Sequence, residues 1–273
     1  MTVDEETVER VAVAAALAAG AELRERYGPG TVEGEFRTDD VKAAADRAAE
    51  RAILPVLRRV FPAHRTYAEE SGHLPAVETE EDDESDWRWI VDPLDGTNDF
   101  AAGLPTFAVG VTALRDGEPR VAVVHLPPTD ETYVARAGEG VRYAGERARA
   151  ESDLDPATAT VATVVGTPVV GDPDLRATAD AFEAAVGERV KRVIDTWAPL
   201  VHAGLLARGR LQGLTAFHPD PEEGPAMELL AREAGARTAR RGSLWLAAVD
   251  DATLDALLTA ADEAGAGAGV APE

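Results

Sequence analysis

Asp92 and Asp95 flank a proline and one apolar residue in the run Trp89-Ile90-Val91-Asp92-Pro93-Leu94-Asp95-Gly96-Thr97. The apolar start of the run reads as the end of a buried strand, and a strand tip that turns can aim two carboxylates at one point. Hard cations such as Mg²⁺ take oxygen ligands in near-octahedral geometry. Asp92, Asp95 and the Leu94 carbonyl offer several such ligands, water can supply the rest, and two ions could share the cluster. Gly96 and Thr97 add a permissive backbone and a hydroxyl. If a helix begins there, its free N–H groups face an anion such as phosphate. Read alone, Asp-Pro-x-Asp-Gly is also an ordinary turn composition.

Upstream, Tyr67-Ala68-Glu69-Glu70-Ser71-Gly72 carries a further acidic pair before the aspartates, and Asp46 stands near the start of an alanine-rich helical stretch, where a solvated helix-surface aspartate is the alternative. Late in the chain, Glu222-Glu223 opens another helical run. Two acids at a helix start also suit the helix dipole with no ligand at all. The five histidines show no zinc-ligand spacing, and a lone His202 in a helix is more often structural.

Longer matches give these residues a context. The run from Trp89 to Thr97, with Phe100 three places on, resembles the signature of the inositol monophosphatase family, within the Mg²⁺-dependent, lithium-sensitive phosphatase superfamily that includes archaeal inositol monophosphatase/fructose-1,6-bisphosphatase-like proteins. The Glu69-Glu70-Ser71 segment resembles the family's Gly-Glu-Glu-Ser element. The resemblance continues through Gly103-Leu104-Pro105-Thr106, Asp116-Gly117-Glu118-Pro119 and Gly138-Glu139-Gly140, covering most of residues 4 to 150.

The resemblance implies a phosphomonoesterase using two or three Mg²⁺ ions on a small phosphorylated substrate, of the inositol monophosphate or fructose 1,6-bisphosphate class. Glu69, Asp92, Asp95 and the Leu94 carbonyl would hold metal, Thr97 with Glu69 would activate water, and the Gly96 and Thr97 amides would grip phosphate oxygens. Asp46 would serve a third metal or stand behind the ligands. It also implies a layered αβαβα sandwich of the sugar phosphatase type, and it is compatible with a homodimer.

The chain departs from the family pattern in several places. Ala43 stands where threonine is expected before Asp46. Aligning back from Arg232-Glu233-Ala234-Gly235 puts Glu223 where relatives carry a metal-holding aspartate after a tryptophan. Trp197-Ala198-Pro199-Leu200-Val201-His202 replaces a Gly-Ser-Ala-Ala-Leu-Asp element that helps bind the substrate alcohol. An alternative reading is therefore a relative that keeps fold and metal binding, has weakened catalysis, and acts in a binding or regulatory role.

The elements that must position these residues follow from periodicity. Asp4 to Tyr27 carries Val8, Val11, Ala15, Leu17 and Leu23 at helical spacing until Gly28-Pro29-Gly30, and Val41 to Val60 forms a second helix with Ile53, Leu54, Leu57 and Val60 directed inward. The acid-rich stretch from Val77 to Asp86 reads as a solvated loop. Strands are expected at Trp87–Val91, Phe107–Leu114, Val121–His125 and Thr132–Ala135, as antiparallel neighbours. After residue 152 the pattern alternates. It predicts strands near 160–165, 190–194, 211–215 and 244–246 and helices near 173–186, 199–207, 222–234 and 252–264. The division expected is an N-terminal α+β half, 1–152, and a C-terminal α/β half, 153–273.

Composition narrows the partners. The 273 residues are 45% hydrophobic, enough for a substantial core, and carry a net charge of -23, which argues against nucleic acid and anionic membranes. Lys42 and Lys191 are the only lysines. An acidic, lysine-poor surface suits concentrated salt, so a haloarchaeal-type protein is expected. The absence of cysteine excludes disulfides and thiolate chemistry. The opening Met1-Thr2-Val3-Asp4 lacks the basic start of a signal peptide, and no apolar run reaches membrane-spanning length, so a cytoplasmic location is expected.

Overall fold

A computed structural model describes residues 4–28, 34–36, 41–77 and 85–267. The acidic residues 78–84 and the side chains of residues 41–43, including Ala43, lie outside the described set.

The N-terminal part runs α1 (Glu5–Arg26), β1 (Gly34–Phe36), β2 (Val41–Ala43), α2 (Ala44–Val60), β3 (Arg65–Ala68), β4 (Gly72–Leu74), β5 (Trp87–Asp95), α3 (Thr97–Ala102), β6 (Ala108–Arg115), β7 (Glu118–Leu126), β8 (Glu131–Arg136), β9 (Gly140–Tyr143) and β10 (Glu146–Ala148). The remainder runs β11 (Thr160–Val165), α4 (Thr167–Val170), α5 (Pro173–Gly187), β12 (Arg192–Asp195), α6 (Pro199–Ala207), β13 (Gly213–Phe217), α7 (Gly224–Ala234), β14 (Arg237–Arg241), β15 (Leu244–Ala248) and α8 (Asp251–Ala264).

Two large sheets and three helix layers form the body of the described fold, beside a two-stranded β1-β2 sheet. An eight-stranded sheet has the order β10-β9-β8-β7-β6-β5-β3-β4, and a five-stranded one the order β12-β11-β13-β15-β14. One core joins α1 and α2 to the first sheet through Leu23, Ile53, Leu57, Trp89 and Val111. A second sets α6 and α7 between the sheets through Val124, Leu200, Leu214 and Leu230, and a third covers the far face of the second sheet with α5 and α8 through Phe182, Leu246 and Leu257. The sequence of layers is helix, sheet, helix, sheet, helix, as expected for the αβαβα sandwich.

Helix α1 starts where Asp4 accepts the backbone N–H groups of Glu6 and Thr7, with Glu5 and Glu6 in its first turn and Arg24 and Arg26 in its last, each of the sign that suits the helix dipole. Its buried stripe runs Val8, Ala12, Ala15, Ala19, Leu23. Leu17, expected in the core, is exposed instead. It stands nine residues after Val8, about 2.5 helical turns, and so faces the opposite side.

Helix α2 begins at Ala44, not Val41, because residues 41–43 pair with 34–36 as an antiparallel hairpin (Phe36 opposite Val41). Val60, also expected inward, closes α2 and is exposed. Strands β4, β9, β10 and β14 were not anticipated. They are short, and β4, β10 and β14 are edge strands with charged or polar members such as Arg237, Arg240 and Arg241.

Candidate active site

Strand β5 lies inside the first sheet, parallel to β3 and antiparallel to β6. In a regular strand, residues three apart point to opposite faces. Asp92 pairs with Gly110 and Asp95 with Ala108, with a register shift between them, so three steps along β5 match two along β6. Pro93, which has no N–H for the ladder, sits at this irregularity. The bulge therefore returns both carboxylates to the same side.

Both aspartates are buried, each 3% exposed. Leu94 N–H donates to Asp92 Oδ1 at 3.1 Å. A Cβ on Gly110 would stand 2.5 Å from Leu200 Cδ1, so any larger residue there must displace the tip of Leu200 beside Asp92. Gly96 has φ +83°, and a Cβ there would stand 2.6 Å from the Thr106 carbonyl. Glycine thus permits the reversal from β5 into α3.

Glu223 arrives from the other sheet's layer. It caps the start of α7 without a side-chain cap bond, and carboxylate oxygens of Asp92, Asp95 and Glu223 lie within 4.8 Å of one another. Glu223 thus stands at the helix start, as its position suggested, and also brings a carboxylate oxygen to the Asp92–Asp95 pair. Glu222, the other half of that pair, accepts a hydrogen bond from the Tyr67 hydroxyl at 2.8 Å.

Glu69 follows β3 and lines the same cleft, although it is outside the tight trio. Thr97 Oγ1 is 3.1 Å from Asp46 Oδ1 and 2.9 Å from the Leu94 carbonyl. Asp46 is fully buried, which removes its reading as a surface helix residue. Glu50, unremarked in the sequence, accepts the N–H groups of Glu70 and Ser71 at 3.1 and 3.2 Å and so fixes the turn after Glu69. His202 is buried against Thr196 (2.8 Å) and is absent from the cleft lining.

Burial first, then the neighbouring negative charge of Glu69 and Glu223, pushes the Asp92 carboxyl well above the usual carboxylate range. Asp95 is raised by burial and by Asp92, against the opposing N–H bonds from Leu200 and Val201, and Glu223 by burial and by Asp95. Tyr67 is pushed up to about 12, chiefly by its hydrogen bond to Glu222. Asp95 Oδ1 is buried with no hydrogen-bond partner among the described residues. An all-oxygen donor set, crowded with like charge and holding an unsatisfied buried oxygen, fits a hard divalent cation.

The cleft around this cluster encloses about 450 Å³ and is walled by both parts of the fold. Its lining includes Tyr67, Asp195, Trp197, Asp220 and Glu222, none of which was singled out for the metal site from sequence. Asp220 and Asp195 lie at strand-to-helix junctions of the second sheet, a place where α/β proteins bind ligands, and that offered a signal for finding them.

The chain matches the model of the inositol monophosphatase family over residues 4–264. It is 33% identical over 233 residues to "Nus factor SuhB" of Escherichia coli K12, covering 82% of each chain. To the "Fructose-1,6-bisphosphatase/inositol-1-monophosphatase" of Aquifex aeolicus it is 31% identical over 227 residues, again covering 82% of each. Its fold is similar to the inositol monophosphatase of Anabaena (TM-score 0.78, 27% identity, 94% of this chain and 96% of that one). It is also similar to the extragenic suppressor protein suhB of Bartonella henselae (TM-score 0.81, 26% identity, 93% and 98%). The chain belongs to the inositol monophosphatase family.

Proposed function

We propose that this protein is a Mg²⁺-dependent phosphomonoesterase that releases phosphate from a small sugar or polyol phosphate. The observation that carries the reading is the convergence of Asp92, Asp95 and Glu223 within 4.8 Å in a cleft that Glu69 and Thr97 also line. Family membership supports a sugar-phosphate phosphatase, and one relative's name couples fructose 1,6-bisphosphate with inositol 1-phosphate.

In this reading Asp92, Asp95, Glu223, Glu69 and the Leu94 carbonyl hold two or three Mg²⁺ ions. Bound Mg²⁺ supplies neutralisation of phosphoryl charge and a lowered pKa for water. The Thr97 hydroxyl, 3.1 Å from Asp46 Oδ1, would take a proton from the attacking water as it passes its own proton to the Asp46 carboxylate. Glu69 accepts a second hydrogen bond from that water and orients it. The Gly96 and Thr97 amides, at the start of α3, donate to phosphate oxygens. No covalent nucleophile is required. The halves 1–152 and 153–273 contribute complementary parts, metal ligands from the first and Glu223 with the alcohol side from the second.

The alternative, a binding or regulatory relative with weakened catalysis, drew its force from Ala43, Ala198 and Glu223. Glu223 in the cluster favours the enzyme. The acidic, lysine-poor composition supports work at high salt; a cytoplasmic location belongs to the same reading, and the family resemblance makes a homodimer the assembly to look for. Among the described residues no helix is long and apolar enough to cross a membrane. Phosphate release from a panel of sugar and polyol phosphates at high salt, with and without Mg²⁺, tests the proposal. An absence of Mg²⁺-dependent release on every ester would sink it.

A further inference from the structure

We infer that Tyr67 is a positioning residue for the metal site: its hydroxyl, bound to Glu222, fixes the segment that carries Glu223 against the Asp92–Asp95 pair. The inference rests on the reading of Glu223 as a Mg²⁺ ligand and deepens it.

Glu223 belongs to a turn that is held from its own side of the cleft. The backbone N–H groups of Glu223 and Gly224 donate to the Asp220 carbonyl at 3.3 and 3.2 Å. Asp220 Oδ2 in turn accepts the Thr167 N–H and hydroxyl at 3.0 and 3.1 Å, at the start of α4. These bonds tie the turn to the second sheet's connections, whereas Asp92 and Asp95 belong to β5 of the first.

Tyr67 supplies the tie to the first sheet. It stands on β3 opposite Ile90 of β5, and its ring packs on His73 of β4 with centroids 4.7 Å apart. The hydroxyl donates to Glu222 Oε1 at 2.8 Å, across 155 positions of chain. Glu222 immediately precedes Glu223, and Tyr67 lies two residues before Glu69. One bond thus joins the segment that brings Glu69 to the cleft to the segment that brings Glu223. A hydroxyl donating to a carboxylate is a charge-assisted bond, stronger than a neutral one. Near-octahedral Mg²⁺ tolerates little displacement of its oxygens, so a turn left to shift at Glu222 would weaken the site.

The pair also departs from the family pattern. The alignment that puts Glu223 at the relatives' aspartate puts Glu222 at the tryptophan before it, and an indole N–H cannot accept a hydroxyl proton.

The test is Mg²⁺ binding to the full chain without substrate, by isothermal titration calorimetry at high salt. Tyr67→Phe keeps the ring and deletes the hydroxyl. It should raise the Mg²⁺ Kd about fivefold or more, as loss of a group that orients a ligand does. The Mg²⁺ concentration for half-maximal phosphate release should rise in parallel. In a Glu222→Gln background, whose amide oxygen still accepts the phenol, Tyr67→Phe should again raise the Kd. In a Glu222→Ala background it should change the Kd less than about twofold, because the partner is already gone. Unchanged or tighter Mg²⁺ binding in Tyr67→Phe overturns the inference, and so does an equal loss in the Glu222→Ala background, the mark of a merely structural tyrosine. A wild type that binds Mg²⁺ but releases phosphate from no ester defeats the phosphatase reading and leaves the role of Tyr67 decided by the binding data. A wild type that binds no Mg²⁺ defeats both.

Discussion

Asp95 Oδ2 accepts the Leu200 backbone N–H at 3.0 Å, joining the tip of β5 to the first turn of α6 across 105 positions of chain. Helix α6 has no side-chain cap from its own Ala198, so its leading N–H groups are satisfied by a carboxylate from the other sheet. The same carboxylate leaves Oδ1 for a cation. The carboxylate cluster and the interlayer packing are therefore one arrangement, and under the proposed function changes to the cluster should register in stability as well as in activity.

Metal-free protein should be strained by its own carboxylates. Asp92 is raised by burial and by negative neighbours, so ionising it at neutral pH costs folding free energy in the absence of metal. Asp92→Asn should therefore stabilise the metal-free protein by ~1–2 kcal/mol at pH 7. The wild type, in contrast, should gain ~2.7 kcal/mol when Mg²⁺ is added to a hundred times its Kd, a gain that Asp92→Asn largely loses. Thermal melts with EDTA and with Mg²⁺ read both effects.

Glu223 reaches the cluster with a side chain one methylene longer than aspartate. Glu223→Asp draws the carboxylate back by ~1.5 Å, more than near-octahedral Mg²⁺ geometry tolerates. The Mg²⁺ concentration for half-maximal activity should rise about tenfold or more in Glu223→Asp and in Glu223→Gln, since lost ligation typically costs on that order. An unchanged Mg²⁺ requirement in both would remove Glu223 from the ligand set.

Gly96→Ala should be harmful on two grounds, a left-handed backbone at φ +83° and a Cβ 2.6 Å from a backbone carbonyl. The expected loss is about 2 kcal/mol or more, measured by urea denaturation, with a parallel fall in phosphatase rate because α3 and Thr97 shift together.

His202 gives a pH dependence of known sign. Burial pushes its pKa down to about 4 from 6.5. The unfolded chain binds the proton more readily, so the stability of the neutral buried ring is complete above pH 6.5 and drains away as pH falls toward 4. Between pH 7 and 5 the wild type should lose about 2 kcal/mol more than His202→Leu, compared by denaturant midpoints at each pH.

Much of this was readable in the chain because the residues that make it are locally marked. Strand β11 and helix α6 fall where the period shifts predicted, and Trp89 to Thr97 carries its strand, turn and hydroxyl in nine consecutive positions. What sequence could not supply was placement over distance. Leu17 looks apolar and periodic yet sits half a helical turn off the stripe, and Arg237–Arg241 looks like surface yet forms an edge strand. The bond from Tyr67 to Glu222 and that from Leu200 to Asp95 depend on how two sheets meet, which no local pattern encodes.

The most direct test of the account is the rate of phosphate release from myo-inositol 1-phosphate by the wild type and by Asp92→Asn, each with Mg²⁺ and with EDTA. The account predicts release by the wild type that EDTA abolishes, and a rate at least ~100-fold lower in Asp92→Asn. Equal rates for the two proteins, or a wild-type rate indifferent to EDTA, would contradict it.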